Sequence, residues 1–313
     1  MTQKERMQTI LDGKSPDAPP HWELVYQIED EVFGMDRPGR IEREGISDKK
    51  IENREIELNI DLMSRMVETY DWAAVYPVPF SLKSIDDIKK ALGKQALVVS
   101  FEWDGVFWMP PGDKFVDFTV MLYEKPEQLH EEARRKCDRA KEWLKQMAGA
   151  GSDFFVLAHD FGFNEGPFVS PKHFSEFVTP YLTEIVQAVH DVGLKAILHS
   201  DGDLRAILDQ LYSTGLDGYQ SVDPQGKMDI KKVREEYPDW ILMGNVKSSM
   251  LQDTDEDEIR ESVRYCMRYG GVGKRYILST SNCIFAGMPV ESYNIMLDEY
   301  HRIVSAVEKG REY

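Results

Sequence analysis

The sequence is poor in cysteine, with three in all: Cys137, Cys266 and Cys283. An odd, widely spaced set excludes a disulfide framework and points to a reducing compartment. Apolar residues never run for the roughly 18 positions that a membrane-spanning helix needs. Residues 1–14, MTQKERMQTILDGK, lack the apolar stretch of a signal peptide, so a soluble cytoplasmic protein is expected. Positive charge is also short: 38 Lys and Arg stand against 55 Asp and Glu, a formal net charge of −17. Such a surface repels phosphate backbones and excludes nucleic acid as a partner. Low-complexity segments, linkers and a glycine-rich phosphate loop are missing as well.

What is present is enough apolar material for a sizeable core, 42% hydrophobic residues over 313 positions. The chain is organised around residues 195–204, KAILHSDGDL. A short apolar run there breaks into His199, Asp201 and the turn residue Gly202. An apolar run bounded by turn residues reads as a strand buried on both faces. Polar groups at the C-terminal tip of such a strand lie where parallel α/β proteins bind ligands. A second such tip, YILSTSNC, ends on Cys283.

The same reasoning gives candidate strands at residues 21–26, 71–77, 96–103, 153–159, 196–199, 218–222, 240–245 and 276–281. Helical periodicity falls between them, at 51–65, 84–92 with Ser84 as N-cap, 116–149 as two helices, 172–192, 203–214, 230–236, 255–269 and 292–309. An amphipathic helix over 2–11 precedes the first strand, and 28–50 reads as polar and irregular, with turn chemistry at Asp36-Arg37-Pro38-Gly39. Strict strand–helix alternation predicts one (β/α)8 TIM-type barrel domain over 1–313 with an N-terminal helical extension. A doubly wound open sheet is the alternative, and it would need the absent phosphate loop.

On a barrel, catalytic groups collect at strand C-termini. Those tips carry Glu23 and Tyr26, then Glu102, Trp103 and Asp104, then His159 and Asp160, then His199 and Asp201. Gln220, Asp223, Asn245, Lys247, Ser281, Asn282 and Cys283 complete the rim. Any one of these could be a cap or a structural hydrogen bond; as a set they point to a catalytic pocket. His199, Asp201 and Cys283 offer the nitrogen, oxygen and sulfur donors that zinc accepts. Cysteine is also an ordinary small hydrophobe, so the residues alone leave the metal open.

From Asp153 onward the chain resembles the uroporphyrinogen decarboxylase-like superfamily, which includes cobalamin-dependent methyltransferases. The resemblance rests on His159-Asp160-Phe161-Gly162, on Phe168-Val169-Ser170-Pro171-Lys172-His173-Phe174 with Pro180-Tyr181, and on His199-Ser200-Asp201-Gly202. Met243-Gly244-Asn245-Val246, Thr280-Ser281-Asn282-Cys283, and Lys4-Glu5-Arg6 with Pro19-Pro20 extend it. It implies a (β/α)8 barrel. It also implies zinc at His199 and Cys283, since the family's methyltransferases use a His-x-Cys pair and a second Cys. Asp201 replaces the first of those cysteines here, which speaks against a thiol-methylating enzyme. True decarboxylases carry an Arg-Gln-Ala-Gly-Arg motif after the first strand, whereas this chain continues Gln27-Ile28-Glu29-Asp30. The Asp-x-His-x-x-Gly signature of corrinoid-binding domains is also missing.

These features together predict a methyltransferase of the O-demethylase type. It would move a methyl group from a small methylated substrate, an aryl methyl ether first, to cobalamin carried by a separate corrinoid protein. The rim aromatics, among them Trp22, Phe107 and Trp108, suit a flat ligand. The expected catalytic residues are His159, Asp160 and Glu23, and the expected substrate contacts are Tyr26, Trp103, Phe161, Phe163 and Asn245. A methylcobamide:acceptor methyltransferase, a methylamine demethylase or a decarboxylase are the alternatives. Outside the family stand a non-catalytic scaffold and a metal-dependent hydrolase. Monomer and homodimer both stay open.

Overall fold

The computed structural model describes residues 1–35, 38–39, 48–271 and 273–311. Seven parallel strands form one sheet in the order β1 (Ala74–Val75), β2 (Leu97–Glu102), β3 (Phe154–Ala158), β6 (Ala196–His199), β7 (Gly218–Ser221), β8 (Ile241–Val246) and β9 (Tyr276–Thr280). Between β3 and β6 the short strands β4 (Gly162–Phe163) and β5 (Gly166–Pro167) pair as a separate antiparallel hairpin. The architecture is a TIM-barrel-like α/β fold. Every residue of β2, β6, β7, β8 and β9 is buried, as expected for strands covered on one face by helices and filling a barrel on the other. Gly218 is needed in β7, because a Cβ there would stand 2.3 Å from the Ile241 carbonyl oxygen.

The strand expected at 21–26 is reduced to isolated bridges, His21 to Leu278 and Tyr26 to Ile284. It still closes the barrel. Leu278 N donates to the Pro20 carbonyl at 2.9 Å, and Ala73 N donates to the His21 carbonyl at 3.0 Å. A longer ladder fails because the Glu23 side chain takes the backbone's place: one carboxylate oxygen accepts Thr280 N at 2.9 Å, Thr280 Oγ1 at 2.8 Å and Ser279 Oγ at 2.9 Å. The second expected strand shrinks to two residues.

The outer helices depart from the sequence reading at particular residues. The N-cap of the helix Leu82–Leu92 is Ser81, whose hydroxyl accepts Ser84 N, so Ser84 is a buried first-turn residue. The helix expected over 172–192 is two, Pro171–Phe177 and Thr179–Asp191, with the break next to Pro180, which has no N–H to donate. Only Leu208–Ser213 forms of the helix expected over 203–214. The Asp203 carboxylate holds Arg205 through its backbone and side chain and delays the helix start. A short helix, Glu29–Phe33, lies in the segment read as irregular. Asp36 and Arg37 of the expected turn fall outside the described residues. Among those described, no helix is long and apolar enough to cross a membrane.

Candidate functional site

The tips of β3 and β6 are held together at the C-terminal end of the barrel. His159 N donates to the His199 carbonyl at 3.0 Å, and Asp203 N to the Phe163 carbonyl at 2.8 Å. Phe161 N donates to Ser200 Oγ at 2.8 Å, and Asp201 N to Asp160 Oδ1 at 3.3 Å. Gly202 permits this approach: its φ is +84°, and a Cβ would stand 2.4 Å from the Gly162 carbonyl carbon. As a result, Asp160, His199 and Asp201 each place one ligand atom within 4.8 Å of the others. Alternation along an extended strand is not what aligns them. β6 ends at His199, and the loop brings Asp201 round.

Neighbouring strands fix the orientation of these groups. His199 Nδ1 bonds to Gln220 Oε1 on β7, so it carries the hydrogen, and Nε2 faces Asp160 Oδ1 at 3.6 Å. Asp201 accepts Ser221 Oγ at 2.7 Å on one oxygen and Asn282 Nδ2 on the other. Burial pushes the Asp201 carboxyl above its usual range, and the charges of Asp160 and Asp223 push the same way against His199 and Ser221. Ser221 and Val222 at the tip of β7 have φ values of 96° and 46°. Such backbone strain concentrates at functional sites. Cys283 Sγ donates to Asn282 Oδ1 at 2.7 Å. Burial, with Asp201, Glu23 and Asp160 nearby, pushes that thiol up to about 12, so it is uncharged near neutrality.

A cavity of about 800 Å³ opens over this group. Asp160, His199, Asn282 and Cys283 line one part of it, and Tyr76, Phe80, Phe101, Trp103 and Trp108 supply much of the apolar wall. Met109 N donates to the Asp160 carbonyl at 2.8 Å and so pins the Trp108 loop against the site. Trp103 is 44% exposed and stacks edge-on to Phe80 at 4.8 Å.

The sequence-predicted residues divide. Tyr26, Trp103, Asp160, His199 and Cys283 line the cavity, with Asp201 beside His199. Glu23 does not reach it; the residue is fully buried and spends its carboxylate on β9. His159 is also fully buried, with Nε2 3.1 Å from Glu102 Oε2 behind the rim. Phe161 is a core residue packed on Phe174 at 5.0 Å, while Phe163 sits on the outside at 46% exposure. Asn245 borders a different groove and bonds to the Val222 carbonyl.

The sequence profile described as uroporphyrinogen decarboxylase (URO-D) matches residues 61–303. The chain belongs to the URO-D family. Two relatives are the uroporphyrinogen decarboxylases of Anaeromyxobacter dehalogenans, 24% identical over 230 residues, and of Sulfurimonas denitrificans, 25% identical over 226. The alignments take in 72% and 69% of this chain but 64% and 62% of the relatives, so the chain spans less than two thirds of their length. Among solved structures, a methyltransferase from Methanosarcina mazei superimposes with a TM-score of 0.75 over 97% of this chain and 99% of that one, at 18% identity. That match shows a common fold.

Whether this URO-D family member can hold a metal turns on its donors. Asp160, His199 and Asp201 supply two carboxylates and an imidazole whose other nitrogen is tied down, a set that fits zinc or a harder divalent ion. Cys283 lies outside that group and keeps its proton, so the expected trio His199, Asp201 and Cys283 comes together only in part. A second group, Cys137, Asp138 and Glu184, lies on the outer helices. There Arg134 at 2.7 Å and Lys141 at 2.9 Å already neutralise Glu184.

Sequence reasoning missed the cavity residues Asn59 and Leu62, which come from the helix Asp48–Tyr70. A signal existed: Asn59 stands three positions before Leu62 and seven before Met66, a polar residue on an apolar stripe.

Proposed function

We propose that the protein removes the methyl group of a small aryl methyl ether and passes it to the cobalt(I) of cobalamin carried by a separate corrinoid protein. The observation that carries this reading is the cavity itself, aromatic-walled and ending on Asp160, His199 and Cys283. Aromatic rings hold a planar apolar ligand by stacking. Among the described residues, no Lys or Arg lines the cavity. Uroporphyrinogen decarboxylation requires cations for a polycarboxylate substrate, and the described part of this wall carries Glu29 and Asp160 instead.

In the reaction the methyl–oxygen bond breaks, a carbon–cobalt bond forms with the electron pair of cobalt(I), and the phenolate takes up a proton. A phenol titrates near 10, as tyrosine does, so its oxygen is a poor leaving group unless charge on it is neutralised. Asp160 and His199 line the cavity with Oδ1 and Nε2 3.6 Å apart, placed to relay a proton to that oxygen, and Asp201 orders the rim beside them through Ser221 and Asn282. Zinc held by Asp160, His199 and Asp201 would supply Lewis acidity at the same place. Cys283, a neutral thiol, packs beside the reacting group and does not activate a thiol acceptor. The cavity stays open on one side, so a corrin face can approach the methyl carbon in line with the departing oxygen.

The test supplies the purified protein with a reduced corrinoid protein and follows methyl-cobalt formation by absorbance. Methoxybenzenes and methoxyphenols should methylate cobalt, and methylamines should not. Methylation from amines alone, or carbon dioxide release from uroporphyrinogen, would overturn the reading.

A further inference from the structure

His199 works at the cavity with one ring nitrogen, and the other is held from behind. β6 and β7 pair in register, His199 with Gln220, so the two side chains share a face of the sheet. Gln220 is fully buried and is not among the residues that line the cavity. Its Oε1 bonds to His199 Nδ1, while its Nε2 is buried with no hydrogen-bond partner among the described residues. An amide sunk in a barrel wall loses its bonds to water, and half of this one regains none. Fold stability therefore does not explain a glutamine here, because an apolar side chain of the same length would carry no such penalty. The next residue also serves the site. Ser221 Oγ donates to Asp201 at 2.7 Å, although successive strand residues face opposite sides. A φ of 96° at Ser221 turns the chain so that both residues reach the rim groups, a strained conformation for a residue with a Cβ.

We propose that Gln220 is a positioning residue that fixes which nitrogen of His199 works. A carbonyl oxygen accepts and cannot donate, so Nδ1 keeps its hydrogen whether the ring is neutral or charged. Nε2, 3.6 Å from Asp160 Oδ1, is then the nitrogen that exchanges a proton or binds a metal ion. The use made of Nε2 rests on the demethylation reading and deepens it. A charged ring passes the Nε2 proton to the departing phenolate oxygen and is left neutral, with its hydrogen on Nδ1 against Gln220. A neutral ring with its hydrogen on Nε2 could give that proton up only by becoming an anion, and it has no lone pair there for a metal. Without the amide, the remaining partner of the ring is Asp160 on the Nε2 side, so the hydrogen would move to Nε2.

Nitrogen-15 magnetic resonance of the metal-free protein tests this without methyl transfer. The signal lost in His199→Gln identifies the ring. At about pH 8.5, where an ordinary imidazole is neutral, wild-type Nδ1 should carry a hydrogen. Gln220→Glu keeps an acceptor and should give the same pattern. Gln220→Met keeps the shape, removes the acceptor and should leave Nδ1 bare. Zinc alone, titrated against a competing chelator, should bind Gln220→Met about tenfold or more weakly than wild type, and Gln220→Glu no more weakly. A bare Nδ1 in the wild type, or a hydrogen on Nδ1 in both wild type and Gln220→Met, would overturn the proposal. So would zinc affinity that Gln220→Met leaves unchanged. Where the wild type binds no zinc the resonance pattern decides, and where Gln220→Met does not fold the wild-type pattern decides alone. The expected pattern upholds the proposal even if no methyl reaches cobalt, and methyl transfer by a wild type with a bare Nδ1 overturns it while upholding the demethylation reading.

Discussion

Glu23 illustrates how a rim acid can serve the fold instead of the reaction. Its carboxylate receives Thr280 N, Thr280 Oγ1 and Ser279 Oγ at 2.8–2.9 Å, all fully buried, where the closing segment meets β9. Hydrogen bonds to a charged acceptor are worth roughly 1.5–3 kcal/mol each, and neighbouring ones do not add fully. Glu23→Ala removes all three and leaves the Thr280 amide without its acceptor, so a loss of about 3–5 kcal/mol follows. An unfolding entropy of about 2.1 cal/mol/K per residue over 313 residues converts this to a melting point lower by about 5–8 °C. Glu23→Gln keeps an oxygen to accept Thr280 N and should lose about half as much. Thermal melts of the three proteins, with methyl transfer measured well below the transition, decide the matter. A Glu23→Ala variant that melts within about a degree of wild type and has lost activity would refute the structural assignment and restore Glu23 as a catalytic acid.

Other substitutions separate the neighbours. Asp160→Asn should slow methyl transfer more for ethers of weakly acidic phenols than for those of strongly acidic ones. His159→Asn, by leaving a void at a fully buried imidazole packed beside Phe161, should cost stability of roughly 2 kcal/mol with no leaving-group dependence; a series of substituted ethers distinguishes them. Elemental analysis should find a bound divalent metal lost in His199→Ala and retained in Cys283→Ala, and the opposite pattern would return the thiol to the ligand set. Glu299 ties the helices Glu256–Cys266 and Val290–Glu308 together through Arg264 at 2.7 Å and Arg260 at 3.3 Å. Burial raises its carboxyl, but the bonds from Arg302 and Arg264 outweigh that and bring it down to about 2. A depressed carboxyl stabilises above its unfolded value and loses that stabilisation as pH falls through the folded one. Glu299→Gln should thus be less stable than wild type by roughly 2 kcal/mol at pH 7, with the gap closing between pH ~4.5 and 2 in urea titrations.

The barrel was legible because its strands are apolar runs bounded by turn residues, a local signal that survives without tertiary information. The segment 21–26 was legible as extended chain, but not as a broken ladder. Nothing local says that the side chain of Glu23 will take the place of a backbone carbonyl against β9. Helix ends moved where a side chain captured a backbone group, as Ser81 does for Ser84 and Asp203 for Arg205. At the site, His199, Asp160 and Cys283 were readable as polar residues at strand tips. Which of two adjacent tip residues faces the cavity was not, since a one-residue change of direction decides it. His159 turns into the barrel wall and Asp160 into the cavity. Phe161 and Phe163 were placed by the β4–β5 hairpin, a tertiary feature with only Gly162 and Gly166 to announce it. Asn59 stood out only by its spacing, and from a helix rather than a strand tip.

The central claim is that this cavity moves a methyl group off an aryl oxygen. One turnover with a dimethoxybenzene labelled with carbon-13 in a methyl group, in the presence of a stoichiometric reduced corrinoid protein, tests it most directly. Nuclear magnetic resonance should show the label on cobalt and an equal amount of the methoxyphenol, with both forming more slowly when Asp160 is replaced by Asn. Label that stays on the ether while the same corrinoid accepts methyl groups from another donor through this protein would contradict the account.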